Sequence, residues 1–121
     1  MKNEATGVRR LVAATRFSLA GLKATYSTEE AFRQECWLAV CLIPIAVVIG
    51  ESATDVAMMI ASVLLLLITE LLNTAVEIVV DRIGEEFHEL SGRAKDAGSA
   101  AVLIALILMI VIWLSVIIKI I

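Results

Sequence analysis

Glu70, Asn73, Thr74, Glu77 and Asp81 are the residues of this chain best placed to do chemistry. At about 100° per residue, these five positions fall within an arc of roughly 100° on one side of a helix. The other sides read Leu71, Leu72, Ala75, Val76, Ile78 and Val79, and the preceding run Val56–Thr69 carries no charge. A carboxylate in that setting costs on the order of a few kcal/mol, so such residues face a bundle interior and mark chemistry or transport. Two carboxylates two turns apart suit two tasks. One, held away from water, can accept a proton. The other, nearer water, can hold a hard divalent cation through oxygen. The plainer alternative makes Glu77 and Asp81 headgroup-level charges at a helix end, which explains Glu70 less well.

The stretch from Asp81 to Asp96, DRIGEEFHELSGRAKD, supplies what phosphate and Mg²⁺ need. Carboxylates suit the metal, and Arg82, Arg93 and Lys95 suit phosphates. A solvated linker is the plainer alternative. His88 is the sole histidine, and alone it says little about a metal. The chain has neither a phosphate-binding P-loop nor a kinase-type glycine-rich loop, so known loops do not announce a nucleotide. Cys36 and Cys41 lie five apart in an apolar run, a spacing that reads as packed thiols rather than a metal or redox pair.

The elements that must position these groups are membrane elements. The chain of 121 residues is 60% hydrophobic, with a mean hydropathy of +0.95. A chain so short cannot bury that excess in its own core. Three apolar stretches, Cys36–Gly50, Val56–Thr69 and Ala97–Ile118, contain no charged residue. They predict membrane helices over 31–50, 54–80 and 97–118, with 81–96 as the loop before the last. Pro44 inside the first is tolerable where neighbouring helices satisfy the freed carbonyl. Ser52 or Thr54 is placed to cap the second. Residues 6–27 predict a basic amphipathic helix in the headgroup plane, with Leu11, Ala14, Ser18, Leu22 and Thr25 along one side. The first apolar run begins too late for a signal peptide, so the crossings are expected to stay in the mature protein. Small residues recur at Ala94, Gly98, Ala101 and Ala105 and predict close packing of the last helix, against the polar stripe.

All but one of the ten Lys and Arg residues fall before the first crossing or between the second and third; the exception is Lys119. The positive-inside rule then puts the N-terminus and the 81–96 loop in the cytoplasm. The net charge of −3 implies no nucleic-acid partner. The expected fold class is an all-α membrane protein, a single domain over 1–121. A thin three-helix bundle would bury Glu70, Asn73 and Glu77 more easily with copies of itself.

The run from Glu70 to Leu103, ELLNTAVEIVVDRIGEEFHELSGRAKDAGSAAVL, resembles the prokaryotic diacylglycerol kinase family. The matching signature is Glu70, Asn73, Glu77, Val80-Asp81, Glu86, His88 and Ala94-Lys95-Asp96. The segment EEAFRQE, Glu29–Glu35, resembles the stretch before the first crossing in the Gram-negative branch. The resemblance implies a homotrimer in a bacterial inner membrane, with active sites shared between subunits. It implies transfer of the γ-phosphoryl group of ATP to the primary hydroxyl of diacylglycerol. It makes Glu70 the general base, with Asn73 organising the site, and gives the Mg²⁺ to Glu29 and Glu77. Arg10, Glu86, His88, Lys95 and Asp96 would meet the nucleotide. Phe17 and Phe87 stand at further nucleotide positions where the family often carries tyrosine. Arg33, Glu35 and Ser99 would lie by the lipid. Two rival readings are a kinase acting on undecaprenol and a small proton- or cation-coupled transporter. The second needs a polar path that residues 54–68 do not offer.

Overall fold

The computed structural model describes residues 6–121; Lys2, counted above among the basic residues, lies outside them. Four helices follow one another: α1 (Gly7–Thr28), α2 (Glu30–Ile49), α3 (Ala53–Ile83) and α4 (Glu89–Ile120). The described residues contain no strand. Helices α2, α3 and α4 are each long and apolar enough to cross a membrane. The chain is an all-α membrane protein.

Short connections set the arrangement. Only Glu29, in an extended conformation, separates α1 from α2. Its N–H still bonds the carbonyl of Thr25 at 2.8 Å, so the chain turns without losing that bond. The guanidinium of Arg33 donates from Nη1 to the carbonyls of Tyr26 (2.9 Å) and Ser27 (3.1 Å). A cation on the open carbonyls of a helix end is favourable, and here it fixes the corner between α1 and α2. Between α2 and α3, Gly50 makes the turn: a Cβ there would lie 2.5 Å from Val56 Cγ2 and 3.0 Å from the Ala46 carbonyl oxygen. Ser52 then caps α3, its hydroxyl accepting from the Asp55 N–H at 3.1 Å. Pro44 sits inside α2, which stays helical through it.

The core runs along the α2–α3–α4 contact and consists of Ala39, Ala46, Met59, Val63, Leu66, Ala105, Met109, Trp113 and Val116. The alanines let the helices approach closely, which is how packing is gained where the surroundings are as apolar as the side chains. Helix α3 packs most extensively on α4 and next on α2, whereas α1 touches the bundle lightly. Much of the outward surface is apolar, Val48, Leu72 and Ile104 among it.

The connection between α3 and α4 is shorter than the charge pattern suggests. Helix α3 continues through Ile83 and α4 begins at Glu89, so only 84–88 are non-helical within the stretch 81–96. Two local features account for this. His88 caps α4, its Nδ1 accepting from the Leu90 N–H at 3.1 Å. Lys95 and Asp81 pair across the turn at 2.7 Å. A charge-rich stretch reads alike whether it is loop or the wetted ends of two helices, so hydropathy does not separate the two.

Candidate active site

Helix α3 carries the polar stripe, and the neighbouring elements close on it from different sides. Glu70 is 7% exposed and Thr74 4%, so the stripe points into the structure at this depth. From α2, the carboxyl of Glu35 meets that of Glu70. Two carboxylates have no proton to offer one another, and Glu35 Oε2 is buried with no donor. The carboxylates of Glu77, two turns along the stripe, and Glu29, at the α1–α2 corner, act on Glu70 electrostatically. Acidic groups from three elements thus gather around one buried carboxyl. Such a set is costly unless a proton or a cation offsets the repulsion.

From α4, Gly98 lies against Asn73. The Asn73 Nδ2 donates to Glu77 Oε1 at 3.2 Å, so the amide orients one oxygen of that carboxylate. From α1, a groove of about 430 Å³ runs between the two helices, lined by Ser18, Gly21, Thr25, Leu71, Thr74 and Ile78 among others. Its walls are mainly apolar, with hydroxyls at Ser18, Thr25 and Thr74. Thr74 belongs to both the groove and the stripe, so an apolar channel borders the carboxyl cluster.

A second, larger cavity of about 570 Å³ opens at the α3–α4 turn. Asp81, Glu85, Glu86, His88, Ser91 and Lys95 line it, with Phe87 and the backbone of Gly84 and Gly92. Because His88 Nδ1 accepts a hydrogen bond, the neutral ring carries its proton on Nε2 and can donate from there. In the first turn of α4 the Leu90 and Gly92 N–H groups are both engaged by His88. The His88 Nε2–H, the Ser91 hydroxyl and Lys95 on this wall suit an anion such as a phosphate chain.

Most of the residues singled out in the sequence therefore fall into two neighbouring places. Glu29, Glu35, Glu70, Asn73 and Glu77 belong to the carboxyl cluster, and Glu86, Phe87, His88 and Lys95 to the turn cavity. Arg10 and Phe17 stand exposed on α1, and Asp96 and Ser99 exposed on α4, lining neither cavity. Arg33 is engaged with the end of α1. Sequence reasoning did not single out Gly84, Glu85, Ser91 and Gly92. Their signal was present: helical spacing from Lys95 back to Ser91 and Gly92 puts all three on adjoining positions of α4.

Residues 16–117 match the prokaryotic diacylglycerol kinase family. The chain belongs to that family. A relative in Haemophilus influenzae named diacylglycerol kinase is 55% identical over 108 residues, 89% of this chain and 92% of its own. The diacylglycerol kinase of Escherichia coli K12 is 49% identical over 113 residues, 93% of each chain. That of Pseudomonas aeruginosa is 49% identical over 111 residues, 92% of this chain and 90% of its own.

Proposed function

We propose that the chain is an ATP-dependent lipid kinase that phosphorylates 1,2-diacylglycerol to phosphatidic acid. The observation that carries the reading is the position of Glu70. It is a buried carboxyl on α3, one turn from Thr74 of the apolar groove, with the polar cavity opening further along at the end of the same helix. The groove along α1 and α3 would take the glyceride, and the α3–α4 turn would take ATP. Glu70 would then accept the proton of the primary hydroxyl as that oxygen attacks the γ-phosphorus and ADP leaves. Phosphoryl transfer asks little covalent help of a protein; alignment and charge neutralisation supply most of the rate.

Mg²⁺ fits the residues present. No three His, Cys, Asp or Glu side chains among the described residues form a ready-made cation site. Mg²⁺, however, takes one or two carboxylates and completes its shell with substrate phosphates and water. Glu77 and Glu29 would be those carboxylates. When bound, the ion neutralises charge on the phosphates and offsets the crowding of acids around Glu70. Asn73 holds Glu77 in orientation. Lys95 and the Nε2–H of His88 would contact the donor's phosphates, with Arg10, Phe17, Glu86, Phe87 and Asp96 beside the nucleotide. Arg33, Glu35 and Ser99 would border the lipid.

The distribution of Lys and Arg supports a multi-pass protein of the bacterial inner membrane with its N-terminus and α3–α4 turn on the cytoplasmic side. The apolar outer faces of a thin bundle suit a homotrimer, in which residues such as Arg10 and Phe17 would complete a neighbour's site.

The test is ATP labelled in its γ-phosphate, offered with diacylglycerol and undecaprenol in mixed micelles. Label in phosphatidic acid, lost in Glu70→Gln, is the expected result. A strong preference for undecaprenol would overturn the choice of acceptor. Ion flux in liposomes without ATP, and no labelled lipid, would overturn the kinase.

A further inference from the structure

Gly98 lies in the interior of α4, where glycine forms helix less readily than alanine. The structure shows what its missing side chain leaves room for. A Cβ built at Gly98 would overlap Asn73 Oδ1. One Cα hydrogen of Gly98 occupies that direction, so it points at the amide oxygen. Asn73 Oδ1 is buried and has no hydrogen-bond donor. The other end of the same amide, Nδ2, donates to Glu77 Oε1 at 3.2 Å. The reverse amide orientation would set Oδ1 against the Glu77 carboxylate, two acceptors facing one another. The charge on Glu77 therefore selects the orientation, and the oxygen has to go where only a glycine can receive it.

We propose that Gly98 is a positioning residue for the metal-holding carboxylate, acting through Asn73 on Glu77. This rests on the reading of Glu77 as a Mg²⁺ ligand. The Gly98 backbone seats the amide, the amide aims one Glu77 oxygen, and the aimed oxygen is ready for the cation. Any side chain at position 98 would push the Asn73 oxygen aside and swing Nδ2 away from Glu77. Loss of an outer-shell partner of this kind lowers metal affinity by about 10–100-fold.

The test uses the full chain in detergent micelles and Mn²⁺ as the probe, with binding followed by electron paramagnetic resonance in the presence of a non-hydrolysable ATP analogue. Gly98→Ala should weaken Mn²⁺ binding about tenfold or more. Asn73→Ala should weaken it similarly. The double variant Asn73→Ala/Gly98→Ala should be no weaker than Asn73→Ala alone, because the added methyl then has an empty space to enter. Unchanged Mn²⁺ binding in Gly98→Ala would overturn the inference. So would an equal further loss when Gly98→Ala is added to Asn73→Ala. If Gly98→Ala alone does not fold, thermal unfolding decides: the double variant should recover the stability of Asn73→Ala, and failure to recover overturns the inference. Mn²⁺ binding that Glu77→Gln leaves unaltered would sink the metal reading and the inference with it. Normal sensitivity to Glu77→Gln with a silent Gly98→Ala would sink the inference alone.

Discussion

Trp113 donates its indole N–H to the hydroxyl of Ser62 at 3.2 Å, and both residues are buried between α3 and α4. Ser62 in turn donates to the Met59 carbonyl at 2.7 Å. The hydroxyl is thus both acceptor and donor, and no polar atom of the pair is left bare in the apolar middle of the bundle. Ser62→Ala strands the indole N–H. The expected loss is about 0.5–2 kcal/mol of stability, the range for interhelical hydrogen bonds in membranes. Adding Trp113→Phe to Ser62→Ala should cost little more from the polar contact. A thermodynamic cycle of unfolding in mixed micelles reads the coupling, and strict additivity of the two changes would contradict it.

Glu70→Gln keeps the shape of the buried carboxyl but removes its ability to take a proton. Turnover should fall by about 10²–10⁴-fold, the usual contribution of a positioned general base. Affinity for an ATP analogue should stay near that of the parent chain, because the turn cavity is left intact. A parallel loss of nucleotide binding would show that Glu70 supports the nucleotide site.

Glu77→Gln and Glu29→Gln should each raise the Mg²⁺ concentration needed for half-maximal turnover. Saturating Mg²⁺ should recover part of the rate, as expected when a ligand is weakened and the base remains. A titration of activity against Mg²⁺ at fixed ATP checks this. An unchanged midpoint for either variant would remove that residue from the metal site.

Lys95 pairs with Asp81 at 2.7 Å, and both side chains are well exposed. An exposed pair contributes little to stability. Lys95→Gln should therefore leave thermal unfolding where it was while raising KM for ATP several-fold. Asp81→Asn, which frees the ammonium, should affect KM less. If unfolding shifts markedly and KM does not, Lys95 is a structural cation.

Arg33 closes the end of α1, so Arg33→Gln should loosen the corner between α1 and the bundle. Backbone amides of the last turns of α1 should exchange hydrogen faster. Those along α3 and α4 should not change. Exchange mass spectrometry in micelles distinguishes this local effect from a global one.

The membrane helices could be read from the chain because lipid leaves few choices for a long uncharged run, and of the two candidate caps for α3, Ser52 and Thr54, the structure uses Ser52. The polar stripe was equally legible, since helical spacing alone places Glu70, Asn73, Thr74 and Glu77 on one side. What could not be read was which partner each residue meets across helices. Glu35 meets Glu70 from 35 positions earlier in the chain, and nothing periodic links them. The small-residue repeat predicted close packing of α4, but not that Gly98 in particular receives the Asn73 amide. Arg33 was expected beside the lipid by resemblance, and its two carbonyl partners at the end of α1 could not be read from the chain. The ends of α3 and α4 were misjudged for a different reason: at the water boundary, charge accompanies helix and loop alike.

Helices α3 and α4 share the most extensive contact of the bundle, and the buried Trp113–Ser62 hydrogen bond joins them midway. Rods packed along their length and tied in the apolar middle travel as one strut. Helix α1 stands outside that strut, touching the bundle lightly and joined to it through Glu29 at the Arg33-held corner. A displacement of α1 would leave Glu70, Asn73 and Glu77 aligned on α3.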